Sequence, residues 1–311
     1  MSLGGKRVVV IGGGSGIGFA VAELAREAGA DVVIASSRAA TVDAAIERLS
    51  GSTGRVVDLR DEAGVAAFFQ DLGPFDHLAM TAGDWGGEMF AATADIDLTQ
   101  ARDGLTVRFW GALAAAKHSC RTIAQDGSIT LTSGMLGHRP MKNAPLVTAV
   151  AGAMEHLTRG LAVDLAPVRV NAVCPGLILT EHVKQTMPAA MQQSFVAKLP
   201  VPRAGSPEEV AMAYVYLPGA ESRSLASPLI KRHFRCLRSS QIPTGIPSRG
   251  FDGRVSFPPI WHPAYLRYCR KAKLPPLKRR LGRDERGLAK VGVEGSNPFA
   301  RSRFSRVLTI A

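Results

Sequence analysis

The chain has 311 residues, 46% of them hydrophobic, enough for one large domain with an appendage or for two small domains. No run of about 18 or more apolar residues occurs, so a membrane span is not expected. The formal net charge of +12 is unevenly placed: residues 1–220 hold 18 Lys/Arg against 21 Asp/Glu, whereas residues 221–311 hold 20 against 5.

In chain order, "KRVVVIGGG" reads as a short buried strand closed by glycines. "GIGFAVAELAREAGA" follows at helical spacing, with Ile17, Val21, Leu24 and Ala28 on one face and Gly29 as its stop. "DVVIASS" reads as a strand, "ATVDAAIERLS" as a helix, "GRVVDL" as a strand and "DEAGVAAFFQDL" as a helix. "FDHLAMTAG" is a strand ending in glycine, and "LTQARDGLTVRFWGALAAAKHSCRTIA" reads as one long helix. "GSITLTS" is a strand, "LVTAVAGAMEHL" begins a helix that can pack Met154, Leu157 and Leu161 on a sheet, and "VRVNAVCPG" is a strand. After a variable segment, "SPEEVAMAYVYL" is a helix capped by Ser206, with Pro207 and two acids in its first turn.

Strands alternate with helices six times, and the strands are continuous apolar runs. That pattern predicts an α/β fold with a doubly wound parallel sheet of the Rossmann type, covered on both faces. The early apolar run Val8 to Ile11 is too short for a signal-peptide core, so a cytoplasmic protein is expected. The cysteines, Cys120, Cys174, Cys236 and Cys269, form no CxxC pair and no Cys/His cluster with metal-ligand spacing, so no metal is expected. Cys120 and Cys174 lie in apolar segments and read as buried thiols.

"GGGSGIG" follows a strand and opens a helix, the context in which glycines let a backbone approach a pyrophosphate. The helix N-terminus then offers free N–H groups and a positive dipole end. The second strand ends in Ser36, Ser37 and Arg38, with no acid to hold an NAD ribose. An arginine there can pair with a 2′-phosphate, which favours NADP over NAD.

These residues resemble the short-chain dehydrogenase/reductase family. The GxxxGIG spacing matches through Gly12, Gly16, Ile17 and Gly18, with Ser15 inside it and Ile11 where the family usually has threonine. Asp58 and Leu59 match the family's adenine-contacting pair. Ala82 and Gly83 match the end of its Asn-Asn-Ala-Gly motif, and Thr81 departs from it. Ser133 matches the catalytic serine, and Pro175, Gly176 and Thr180 match the segment that holds the nicotinamide carboxamide. The landmarks cover roughly residues 5–217. The resemblance implies an oxidoreductase acting on a small-molecule substrate, often as a homo-oligomer.

The resemblance also marks what is missing. The family's tyrosine and lysine, four residues apart on one helix face, fall at Val147 and Ala151, and its asparagine falls at Arg108. All four tyrosines lie at Tyr214 or later. Ser133 and Arg108 are the expected catalytic groups, polarising the substrate. Arg108 could instead pair with Asp103, and Ser133 could simply cap a strand end. His138, Arg139 and Lys142 are candidate substitute acids on the following loop. The reading left is an atypical NADP-dependent oxidoreductase, with an NADP(H)-binding sensor or structural subunit as the alternative.

Residues 221–311 are rich in prolines and scattered basic clusters, without repeat or period, and no Thr-Gly turn and last strand of the family type is found there. A basic, low-order tail is expected, with the usual last strand of the sheet absent. Its charge attracts phosphate, but it has no zinc spacing and no RNA-binding fingerprint, which argues against a nucleic-acid partner. A genuine added domain is the other alternative, but the break near Gly219 fits an out-of-frame ending better. An alternative frame after about codon 217 that encodes the family ending would establish it.

Overall fold

The computed structural model describes residues 2–83, 89–197, 199 and 201–219. The basic segment 221–311, the expected loss of the last strand, and Cys236 and Cys269 lie outside the described residues.

Six parallel strands are formed: β1 (Arg7–Ile11), β2 (Asp31–Ser36), β3 (Thr53–Val56), β4 (Phe75–Met80), β5 (Ile123–Thr132) and β6 (Arg169–Val173). They pair in the order β3-β2-β1-β4-β5-β6. The chain therefore reverses direction across the sheet between β1 and β4, where Ile11 is in register with Met80. In open α/β sheets that switch point is where ligands bind, outside the carboxyl ends of the strands.

Because strand side chains alternate, β1, β2, β4 and β6 each feed two cores. Val9 and Ile11 join Val65, Phe68 and Phe69 of α3 (Glu62–Leu72), with Ala112, Ala115 and Ala116 of α5 (Ala112–Ser119). Met154 and Leu161 of α6 (Pro145–Asp164) complete that face, with Leu157 packed against it. Val8 and Val10 join the opposite core with α1 (Gly16–Glu27) and α9 (Pro207–Tyr216). Each of these valines is at most 2% exposed, and burying one stabilises the fold by about 1.5–3 kcal/mol. Both faces of the parallel sheet are covered, as the continuous apolar strands require.

The helix boundaries follow local chemistry. At α9, Ser206 accepts from the Glu209 N–H and the Glu209 carboxylate accepts from the Ser206 N–H, a reciprocal cap over Pro207. In α1 the expected stripe is only partly the buried one. Val21 is buried, Ile17, Leu24 and Ala28 are half-buried against the same core, and Gly18, Ala22 and Ala25 are buried as well. The cause is that α1 contacts α9 as well as the sheet, which widens its buried face.

Two expectations are corrected, the single long helix and the burial of the cysteines. The long helix over 98–124 is broken into α4 (Leu98–Leu105), a π-helical turn at Thr106–Gly111, and α5. Its last residues belong to β5, which starts at Ile123 because Ile123 pairs with Phe75. The variable segment after Pro175 contains α7 (Glu181–Thr186) and α8 (Ala189–Val196); α2 (Ala39–Arg48) completes the helices named here. Cys120 is exposed rather than buried, and its thiol donates to the Lys117 carbonyl at the end of α5. Cys174 is only partly buried.

Among the described residues, no helix is long and apolar enough to cross a membrane.

Candidate functional site

The glycines after β1 bring three strand ends into contact. Gly12 has φ +90°, a backbone conformation that glycine adopts without strain. A β-carbon there would stand 2.5 Å from the Ala82 nitrogen and 2.8 Å from Ala82 Cα. At Gly18 a β-carbon would collide with the Gly12 carbonyl and the Thr81 hydroxyl. Gly16 faces Thr180, whose methyl would lie 3.0 Å from an added β-carbon. The loop after β1 therefore packs on the ends of β4 and of the segment after β6, and only hydrogen fits at Gly12 and Gly18.

Hydrogen bonds fix these ends. The Thr81 hydroxyl donates to the Ile11 carbonyl at 3.1 Å, and the Thr81 and Ala82 N–H groups donate to the same carbonyl at 2.8 and 3.1 Å. Thr81, a departure from the family pattern, thus ties β4 to β1. Thr180 accepts from the Val183 N–H at 3.2 Å and caps α7. Ser15 precedes α1, is exposed, and makes no side-chain capping bond.

Around this crevice the other expected cofactor residues are distributed as follows. Ser37 and Arg38 are exposed just beyond β2, and Arg38 is the N-cap of α2. Asp58 is exposed, with Oδ1 accepting from the Arg60 N–H at 3.0 Å. Leu59 is buried, and Gly111 of the π-helical turn approaches it so closely that a β-carbon would stand 2.7 Å from Leu59 Cβ. Pro175 accepts from the Met135 N–H at 2.9 Å, and Gly176 is exposed. Ile17 is half-buried on α1.

The two expected catalytic groups are both inside the protein. Ser133 is fully buried, and its hydroxyl donates to the Ala151 carbonyl of α6 at 2.9 Å. Its N–H donates to the Val173 carbonyl at 2.8 Å, extending the β5–β6 ladder. Arg108 is 4% exposed, sits in the π-helical turn, and donates to the Gly83 carbonyl. Gly83 lies against the Arg108 stem, with an added β-carbon 3.5 Å from Arg108 Cβ. As placed, the hydroxyl and the guanidinium each hold a backbone carbonyl.

The positions that correspond to the missing pair are apolar and closed. Val147 is 2% exposed and packs with Met89, Ala144 and Val150. Ala151 is fully buried, 3.2 Å from where a β-carbon of Gly137 would lie. Tyr214 does not replace the absent tyrosine. It is buried on α9, its hydroxyl is bonded to the Thr132 hydroxyl, and burial pushes its phenol pKa up. Of the loop candidates, His138 is half-exposed with Nε2 2.8 Å from Glu155 Oε1, while Arg139 and Lys142 are exposed.

One group was not legible from spacing. Glu155, on the buried face of α6, and Cys174, just after β6, meet His138. An acid on an otherwise apolar helix face was the available signal for Glu155. Burial, then the Glu155 carboxylate beside it, raise the Cys174 thiol to about 11.

A glycine crevice at the switch point of a sheet ordered 3-2-1-4-5-6 defines the class of doubly wound α/β folds that bind dinucleotides. Comparison with known proteins refines this. A family model described as enoyl-(acyl carrier protein) reductase matches residues 12–226. A short-chain dehydrogenase/reductase of Stachybotrys chlorohalonatus is 34% identical over 236 residues, covering 68% of this chain and 90% of the relative. The 3alpha-hydroxysteroid dehydrogenase of Mediterraneibacter gnavus is 32% identical, over 70% of this chain and 91% of its own length. The crystal structure of a small-chain dehydrogenase in complex with NADPH superposes with a TM-score of 0.58 at 39% identity, covering 68% of this chain and 90% of that one. The chain belongs to the short-chain dehydrogenase/reductase family.

Proposed function

We propose that the protein is an NADP(H)-dependent oxidoreductase acting on a small organic molecule. The observation that carries this reading is the crevice in which Gly12 and Gly18 leave no room for a side chain beside Thr81 and Ala82. Such a cradle fits a pyrophosphate laid on the N-terminus of α1. Gly12, Ser15, Gly16, Ile17 and Gly18 would hold the diphosphate, and Asp58, Leu59, Ala82 and Gly83 the adenosine side. Pro175, Gly176 and Thr180 would hold the carboxamide. Ser37 and Arg38, exposed beyond β2, favour NADP over NAD because a guanidinium fork pairs with a 2′-phosphate.

The bound cofactor supplies or accepts the hydride. What this chain contributes is binding and orientation. Arg108 holds the Gly83 turn at the end of β4, and Ser133 holds the end of β5 to α6. They act as positioning residues for the crevice walls. Neither Val147 nor Ala151 can exchange a proton, so the usual acid–base relay, worth about 10² to 10⁴ in rate, is not supplied from α6. Proximity and electrostatic preorganisation carry the reaction instead.

A second reading is favoured by the burial of Ser133 and Arg108: an NADP(H)-binding protein without redox turnover, acting as sensor or structural subunit. Measuring NADPH oxidation across carbonyl, enone and imine panels separates the two. Turnover of one substrate class is the expected result. Firm NADPH binding with no turnover in any class would overturn the enzyme reading.

A further inference from the structure

His138, Glu155 and Cys174 reach one point from three elements: the loop after β5, the buried face of α6 and the segment after β6. Their nearest ligand atoms, an imidazole nitrogen, a carboxylate oxygen and a sulfur, all lie within 4.8 Å of one another. His138 Nε2 is 2.8 Å from Glu155 Oε1, and Cys174 Sγ is 3.9 Å from the same oxygen. We propose that these three side chains bind a zinc-type divalent cation, with the fourth position open to solvent.

The geometry is close to what such an ion needs. With metal–nitrogen and metal–oxygen bonds of about 2.0–2.2 Å and a metal–sulfur bond of about 2.3 Å, tetrahedral ligands lie roughly 3.3–3.6 Å apart. The observed 2.8 and 3.9 Å bracket that range, and the third pair lies within 4.8 Å, so the ligands close on an ion by shifts of about 1 Å or less. His138 can make the shift, because it is half-exposed and sits on a loop. Gly137 lets that loop lie close to α6: a β-carbon there would stand 3.3 Å from Glu155 Oε1. The ligand chemistry selects the ion, since thiolate, imidazole and carboxylate together suit zinc better than magnesium or calcium.

Charge argues the same way. Glu155 is 8% exposed, and its Oε1 already lies 2.8 Å from His138 Nε2. A dication with one carboxylate, one thiolate and a neutral imidazole sums to zero. Binding displaces the Cys174 thiol proton to solvent and changes no oxidation state. The cation would pin the loop after β5 to α6 and to the end of β6, beside the crevice that Pro175 and Gly176 help to wall.

The test is a titration of the full-length, chelator-treated protein with Zn²⁺ against a chromophoric competitor, together with Co²⁺ absorption spectra. Wild type is expected to bind one equivalent with a Kd of about 1 µM or tighter that His138→Gln, Glu155→Gln and Cys174→Ser each lose. The cobalt–thiolate band is expected to vanish in Cys174→Ser and to persist in Cys236→Ser/Cys269→Ser. His138→Gln changes only an exposed loop side chain, so loss of fold does not confuse its result; melting curves check the other two. Equal zinc stoichiometry and affinity in wild type and His138→Gln would overturn the proposal, as would a thiolate band unchanged in Cys174→Ser.

Discussion

Gly12 and Ala82 touch backbone to backbone: a β-carbon at Gly12 would stand 2.5 Å from the Ala82 nitrogen, and Gly12 holds φ +90°. Gly12→Ala therefore meets both a strained backbone and a rigid wall. It is expected to destabilise the fold by about 1–3 kcal/mol and to weaken NADPH binding at least about tenfold. Gly160→Ala is the contrast. Gly160 is exposed on α6 with nothing within 4 Å of an added β-carbon, so alanine is expected to raise stability by about 0.5–1 kcal/mol. Thermal melts and fluorescence titrations of both variants check the pair.

Arg108 discriminates between two roles. If it holds the Gly83 turn, Arg108→Ala costs about 1–3 kcal/mol of stability, because a buried guanidinium and its hydrogen bond to that carbonyl are lost. NADPH affinity should fall with stability, several-fold, since Gly83 walls the crevice. If instead Arg108 polarises substrate, turnover falls while the melting temperature and NADPH affinity stay put. We expect the first pattern. Urea unfolding, NADPH titration and turnover on the same variant decide it.

His77 gives the fold an acid-sensitive point. It is buried, Nδ1 lies 3.1 Å from the Ser128 hydroxyl, and burial lowers its pKa to about 4. The unfolded imidazole protonates near 6.5, so as pH falls below that value the unfolded state binds the extra proton first. Stability is complete above about pH 6.5 and declines toward pH 4, by about 2 kcal/mol at pH 5. Between pH 6.5 and 5 the carboxylates with lowered values, Glu209 at about 2 among them, stay ionised in the native state. Urea unfolding at pH 7.0 and 5.0 should give that loss in wild type, and a clearly smaller one in His77→Gln.

Much of the fold was legible. The inner strands carry apolar runs because the sheet is covered on both faces there, while the edge strand β3 is Thr-Gly-Arg-Val and half-exposed; "GGGSGIG" announces its own turn. What failed depended on partners distant in sequence. Ile123 scans as helical after "AAAKHSC", but pairing with Phe75 makes it strand. Cys120 sits among apolar residues, yet α5 turns it to solvent. The contacts of Ser133 and Arg108 were not legible either, because order along the chain does not report direction. Both point to backbone carbonyls, at Ala151 and Gly83. The meeting of His138, Glu155 and Cys174 is likewise set by packing, with no local spacing to mark it.

The central claim, NADP(H) binding in the glycine crevice with Arg38 reading the 2′-phosphate, is tested most directly by one titration. NADPH and NADH are titrated into the full-length chain and into Arg38→Ala, following cofactor fluorescence. The account predicts that wild type binds NADPH at least about tenfold more tightly than NADH. Arg38→Ala should remove that preference by weakening NADPH about 10- to 100-fold while leaving NADH within about threefold. Equal or tighter binding of NADH by wild type, or no binding of either nucleotide, would contradict it.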